Sequence, residues 1–312
     1  MTLQRYDGRQ FAGLILAALL LSGCSVRRFA VARVGDALAS GGSVYESDED
    51  IELVGGALPF GLKMVESLLQ QVPKHQGLLQ TACQGFATYG YAYVQNEADQ
   101  KEDTDLQQAA ALRRRARRLY LRARVYGLRG LDAAYPGLTA RLDADPKSAL
   151  AAVSKKKYVP LLYWNAVALG LAISANKNDT ATLARIPEVE AFIERALQLD
   201  EAWSEGTLHE FQVSFASSKP GGADERALSE HYRRALELSG GKRAGLYVAY
   251  AEAVWLPKQN KAEFTALLDR ALALDPDLHE AQRLPNALAQ RRAKWLLGKI
   301  DDLILETKEE PK

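Results

Sequence analysis

The residues of this 312-residue chain whose chemistry is easiest to read are four histidines, two cysteines and one glycine-lysine segment. Two histidines precede a glutamate, at His209-Glu210 and His279-Glu280. A zinc-protease helix needs a second histidine four residues after the first, so that both imidazoles share one face with the glutamate as base. Val213 and Arg283 stand there instead, and neither pair qualifies. The segment Ser239-Gly240-Gly241-Lys242-Arg243 has the lysine of a phosphate loop. It has Leu236 where the upstream glycine is required and Arg243 where a hydroxyl must reach magnesium. No Gly-x-Ser-x-Gly nucleophile elbow occurs. Neither His75 nor His231 has a cysteine or carboxylate array at metal-ligand spacing, so these read as isolated helix-surface histidines. Cys83, in LLQTACQGFATYGYAYV, reads as a small buried thiol. No catalytic residue, metal or cofactor is assigned, and the chain reads as a binding protein rather than an enzyme.

Cys24 has a different setting. It ends an apolar run over 11–21 that follows Arg5 and Arg9. Eleven residues fall well short of the roughly 20 that a helix needs to cross a bilayer. A short basic start, a compact apolar stretch and small residues before a cut are the marks of a secretion signal. Leu21-Ser22-Gly23-Cys24 further resembles the lipobox of bacterial lipoproteins, in which Cys24 takes a diacylglyceryl group and becomes the new N-terminus. Residues 1–23 are then a signal peptide, 24–50 an anchor-proximal segment and 51–312 the folded domain. Acyl chains moor a protein to a membrane face without crossing it. Ser25 rather than aspartate follows the cysteine, which by resemblance to Gram-negative sorting favours a periplasm-facing place on the outer membrane.

Bulk charge argues against nucleic acid as a partner. Removing residues 1–23 takes Arg5, Arg9 and Asp7 from 40 basic and 39 acidic residues and leaves a formally neutral chain. Abundant alanine, leucine and arginine with few β-branched runs favour an all-α protein.

Positioning is therefore the work of helices. A short helix over 34–39 and a solvated acidic loop over 46–52 are expected first, with Ser47 or Asp48 as the cap of the next helix. Leu58, Leu62, Val65, Leu68, Leu69 and Val72 then recur at steps of three and four, marking an amphipathic helix that ends at Pro73. An aromatic-rich helix over 77–96 and a polar loop, EADQKEDTD, come next. In LRRRARRLYLRAR, Leu112, Ala116, Leu119, Ala123 and Tyr126 fall on one stripe, so the arginines are solvated or ion-paired surface. The stretch 159–175 is apolar all round apart from Asn165, as a central core helix must be.

Four segments share the form apolar-x-Arg-Ala-x-x-apolar: YLRARVY, IERALQL, YRRALEL and LDRALAL. Their alanines, Ala123, Ala196, Ala235 and Ala271, are separated by 73, 39 and 36 residues, the first gap being close to two periods. A repeat near 36 residues built from two helices is a helical-hairpin solenoid, with the small alanine at the close helix crossing. It resembles the second helix of the tetratricopeptide repeat, and Pro276 after RALALD completes that pattern. The prolines and first-helix signature are lost elsewhere, so the repeats are degenerate. Hairpins are expected at about 77–133, 159–200, 203–239 and 243–275, with a closing helix over 280–305.

Five longer segments, ALPFGLKMVESLL, RRLYLRARVYGLRGL, VPLLYWNA, GGKRAGLYVAYAEA and RLPNALAQRRAKWLL, together resemble the T component of TRAP transporters, tetratricopeptide-like periplasmic lipoproteins. The resemblance implies a TRAP-type periplasmic solute-binding protein as partner and a homo-oligomer, with a trimer as the expected number. It also implies a role in passing a hydrophobic or organic-acid ligand, and it brings no catalytic residues. The remaining alternative is an envelope scaffold without a small ligand. Tyr163, Trp164 and Asn165 on the apolar helix, with Tyr120, are the cavity candidates. They either line a ligand space with Asn165 as a polar handle, or are core, with Asn165 satisfied by a nearby backbone group. Arg283, Asn286 and Gln290 share helical spacing and either face an inter-subunit pore or cap and pair locally.

Overall fold

The computed structural model describes residues 26–217, 219 and 224–305, so Cys24 and its signal lie outside them. Among the described residues every regular element is helical, and no helix is long and apolar enough to cross a membrane.

Helix α1 runs over 26–40, far longer than the 34–39 expected, because Ala32, Gly35 and Ala39 let it lie close on the start of α4. A short α2 (Gly42–Glu46) follows. Asp50, rather than Ser47 or Asp48, caps α3 (Ile51–Gln71), accepting from the amides of Glu52 and Leu53. Leu58, Leu62, Val65 and Leu69 of α3 are buried as their spacing requires. His75 caps α4 (Gln76–Tyr89) through Nδ1, while its Nε2 meets the Ala32 carbonyl at 3.1 Å and Asp36 at 3.2 Å. The chain stays helical through a π-turn over Gly90–Gln95 into α5 (Asn96–Lys101), where a polar loop was expected.

The first hairpin closes with α6 (Leu106–Ala134). Several of its arginines are ion-paired, Arg113 with Glu102, Arg117 with Asp179 and Arg122 with Glu66, while Arg124 departs from the surface expectation: it is buried and pairs with Glu188. Two short helices, α7 (Leu138–Leu142) and α8 (Pro146–Ala151), lead to α9 (Val159–Ser174). This helix packs on α4, α6 and α11 (Ile186–Asp200), and its side chains are buried on nearly every side. Helix α10 (Thr180–Leu183) lies between them. The later hairpins are α12 (Thr207–Ala216) with α13 (Glu225–Ser239), and α14 (Ala244–Tyr250), continued by a π-turn over Ala251–Trp255, with α15 (Lys261–Ala273). Ala123, Ala196, Ala235 and Ala271 are all 0 % exposed, as a small residue at a helix crossing should be.

One large core spans α3 to α12, and a second joins α14, α15 and α16 (Arg283–Gly298) with α17 (Ile300–Leu303). They meet twice. Ala216, Leu228 and Val254 join them around α12 and α13. At the other end α16 returns to the first hairpin, where Leu284 and Leu288 pack with Val54, Leu58 and Tyr93. Arg291 reaches Glu52 at 2.6 Å, Arg292 reaches Asp99 at 2.9 Å and Lys299 pairs with Asp103. The solenoid is closed on itself.

The histidines are not isolated. His209 and His231 meet Nδ1 to Nδ1 at 2.8 Å, holding α12 to α13. His209 Nε2 donates to Glu201 at 3.2 Å, so its Nδ1 accepts and His231 supplies the proton. Burial lowers both imidazole pKa values, and for His231 the neighbouring His209 adds to this. Arg234, which holds the Glu201 carboxyl down at about 2, and Lys219 also oppose a second positive charge, against Glu201 and Glu230.

Two outcomes are expected. Folded-state imidazole pKa values below the free value near 6.5 make the unfolded chain take up more protons there. Stability from this pair is therefore present above about pH 6.5 and lost as pH falls below it. Melting temperature measured from pH 7.5 to 5 should drop, and His231→Gln should flatten that slope; an unchanged slope contradicts the shared-proton pair. Separately, a Cβ at Gly127 would lie 2.5 Å from Asn165 Nδ2 and 2.7 Å from Cys83 Sγ, whereas Gly56 has nothing within 4 Å. Alanine inside a helix gains up to about 1 kcal/mol over glycine, and overpacking costs about 1–3 kcal/mol. Gly56→Ala should raise the melting temperature and Gly127→Ala lower it.

Candidate functional site

The inner side of the closed solenoid carries the most unusual concentration of charge. At its centre Tyr91, on the first π-turn, lies within electrostatic reach of Arg292, Glu252, Asp99 and Glu210. Those four come from α16, the second π-turn, α5 and α12. Arg292 bridges Asp99 at 2.9 Å and Glu252 at 2.8 Å, and its guanidinium lies 4.4 Å from the Trp295 ring centroid. The two carboxylates raise the Arg292 pKa against the lowering effect of burial, so the charge is fixed. Burial raises the Tyr91 phenol pKa even though 51 % of its surface admits water.

A second group continues the surface. Arg243, largely buried, donates to Glu210 at 2.6 Å. Glu46, bonded to Gln84 at 2.9 Å, has its pKa raised by burial while nearby Arg243 lowers it. Tyr163 lies in the field of Glu210 and Arg243 and packs against Trp203, whose ring centroid is 5.1 Å away. Trp203 opens a strained turn. Ser204 and Glu205 have φ of 49° and 55°, followed by Gly206 at 86°. Side chains other than glycine rarely adopt that left-handed region. Here the Ser204 carbonyl accepts from Thr207, and Glu205 is held by His279 at 2.6 Å. At Gly206 a Cβ would press on the Ala235 backbone at 3.1 Å, which fixes the glycine.

The residues expected to line a cavity separate in the structure. Tyr120 and Asn165 are fully buried among packed helices. Asn165 donates to the Leu161 carbonyl at 2.7 Å, the backbone satisfaction that its core reading anticipates, while its Oδ1 and the Tyr120 hydroxyl have no protein partner. Tyr163 and Trp164 are half-buried, edge to face at 5.0 Å, and only Tyr163 belongs electrostatically to the charged interior. Of the second set, Asn286 is 2 % exposed and clamps α14, accepting from the Ala244 amide and donating to the Lys242 carbonyl. Gln290 closes the end of α15 by donating to the Leu274 carbonyl at 2.6 Å. Arg283 donates to the Ser47 carbonyl at 3.0 Å and pairs with Asp277. Asn286 and Gln290 thus bond the fourth hairpin, while Arg283 bonds both Asp277 nearby and Ser47 far along the chain.

Tyr91, Arg243, Glu210 and Arg292 escaped sequence reasoning. Tyr91 and Arg292 lie in the aromatic-bearing GYAYV and RRAKW, and Glu252 in AYAEAVW, but no spacing links them to each other or to Glu210 and Arg243. Elsewhere, a cavity of about 430 Å³ between α6, α7, α9 and α10 has leucine walls, including Leu121, Leu128 and Leu169. Its cations are already neutralised, Arg124 by Glu188 and Arg185 by Glu188 and Asp143. Among the described residues no group of three His, Cys, Asp or Glu side chains could hold a metal.

The chain is 29 % identical to an uncharacterized protein of Treponema pallidum (strain Nichols), over 93 % of this chain and 96 % of that protein. The TRAP transporter T-component profile matches residues 47–304, the span from the end of α2 to α17 that makes up the closed solenoid. The chain belongs to the TRAP transporter T-component family.

Proposed function

We propose that this protein is a lipoprotein moored through Cys24, facing the periplasm from the outer membrane, and accessory to a TRAP-type transporter. It binds the periplasmic solute-binding protein on its helical surface and holds a small hydrophobic or organic-acid ligand in its interior. The observation that carries this reading is the family match across the whole closed solenoid. The interior adds chemical sense. The carboxylate of an organic acid would compete for Arg292, which two protein carboxylates now hold, while the Tyr91 ring offers an apolar face and a hydroxyl. Arginine suits that exchange because its planar fork matches carboxylate geometry. Assembly of several copies is part of the proposal, with three as the number to test.

The anchored protein, purified from membranes, should carry acyl chains on the peptide starting at Cys24 and should co-purify with a periplasmic solute-binding protein. Absence of the receptor across a range of salt concentrations would count against the adaptor role. Native mass spectrometry of the same preparation should retain an organic acid or lipid. Tyr91→Ala, at a half-exposed position whose loss leaves the ion pairs intact, should reduce that retention severalfold without changing the melting temperature. An empty interior alongside capture of several envelope proteins would favour a scaffold.

A further inference from the structure

Helix α1 is built inside out. A surface helix normally turns its large apolar side chains to the protein and its charges to water. Here the residues against the body are small: Ala32 beside His75, Gly35 against Leu78 and Ala39 against Gly77. Most of the large apolar side chains point away, with Val26 66 %, Phe29 61 % and Val34 50 % exposed, while Val31 is half-buried. Every residue over 26–30 is exposed, so the leading end of the helix stands clear of the body. The same end is basic. Arg27, Arg28 and Arg33 fall within 26–34 with no acid among them, in a chain that is close to neutral as a whole. Asp36, the only acid in 26–40, is engaged by Arg33 at 3.5 Å and His75 at 3.2 Å. Lys74 and Arg129, the latter donating to the Pro73 carbonyl, add positive charge at the turn on which α1 packs.

We infer that this end of α1 seats on the surface of a bilayer containing anionic phospholipid, with Val26, Phe29 and Val34 in the interfacial layer and Arg27, Arg28 and Arg33 among the headgroup phosphates. The inference rests on the anchoring reading of Cys24. Chain geometry then supplies the constraint: Val26 is two residues on from Cys24, and two steps of at most about 3.6 Å leave roughly 7 Å between the acylated residue and α1. No linker of useful length exists. The docked helix carries the solenoid with it, so the membrane sets one orientation of the whole domain. Apolar side chains flanked by arginines are the composition that binds an anionic interface, and the attraction fades within a Debye length.

The full-length acylated protein tests this. With the Cys24 sulfur consumed by acylation and Cys83 buried, an introduced cysteine is the reactive thiol to label. An environment-sensitive fluorophore is placed at Phe29→Cys, Val34→Cys or Leu106→Cys. Leu106 begins α6, 23 residues before Arg129, or about 34 Å away along that helix. In vesicles of phosphatidylethanolamine with phosphatidylglycerol, probes at 29 and 34 should emit further to the blue than the probe at 106. Nitroxide-bearing lipid should quench them severalfold more. Combined Arg27→Glu, Arg28→Glu and Arg33→Glu should abolish that difference while the protein still floats with the vesicles. Acylated, floating protein with water-like emission at 29 and 34 overturns the inference and leaves the anchor standing. Equal quenching at all three positions also overturns it. A Cys24 peptide without acyl chains, in protein that does not float, removes the anchoring reading and this inference with it.

Discussion

The apolar seam between α16 and the first hairpin is the contact on which the rest of the architecture depends. Val54, Leu58 and Leu284 are each less than a tenth exposed there. Full burial of one such side chain is worth about 1.5–3 kcal/mol. The neighbouring Arg291–Glu52 pair, with the glutamate side chain 83 % exposed, belongs to a class worth at most about 1 kcal/mol. Burial therefore holds the seam, and the charged pairs choose its register. An open solenoid would have two cores joined only around α12 and α13. Closure gives it a second joint and an inside.

That inside is compensated only while the ring is shut. Asp99 comes from the first hairpin and Glu252 from the fourth, and both face Arg292 on the returning helix. Taking α16 away would leave two carboxylates confronting each other across a space lined by Tyr91. Removing one partner of a desolvated pair costs more than the pair itself contributes. The interior is thus a lock on closure as well as a place to hold a ligand, and a molecule that engages Arg292 must replace the carboxylates it displaces.

Much of the fold was legible because it follows from local periodicity. The four crossing alanines, the all-round apolar α9 and the hairpin limits needed only residue types and spacing. Asn165 and Gln290 illustrate what spacing leaves open. Asn165 suits a polar handle or a core residue satisfied by backbone, Gln290 a pore wall or a local cap, and both spend their amide groups on backbone carbonyls within the packed helices. A sequence pattern places a side chain on a face but does not say whether a carbonyl lies within reach. His209 and His231 failed for the complementary reason: they are 22 residues apart on different helices, and no periodicity links them. The charged group was hidden most completely, since its members come from several helices, and Asp99 and Tyr91 join Arg292 only through closure.

Two irregularities of the helices carry members of this charged group. A tetratricopeptide period is 34 residues, and the step from Ala235 to Ala271 is 36. A π-turn adds residues to a helix without ending it and rotates the helix beyond it. One such turn, Ala251–Trp255, lies within that step and carries Glu252. The other, Gly90–Gln95, carries Tyr91 in the first hairpin. With regular α-helix at both places, the rotation that aims Glu252 and Tyr91 inward would be lost, while the buried alanines at the crossings could stay where they are. The two π-turns thus tie the helix geometry to the charged groups at Tyr91 and Glu252, while the 39-residue step from Ala196 to Ala235 has no such turn among its described residues.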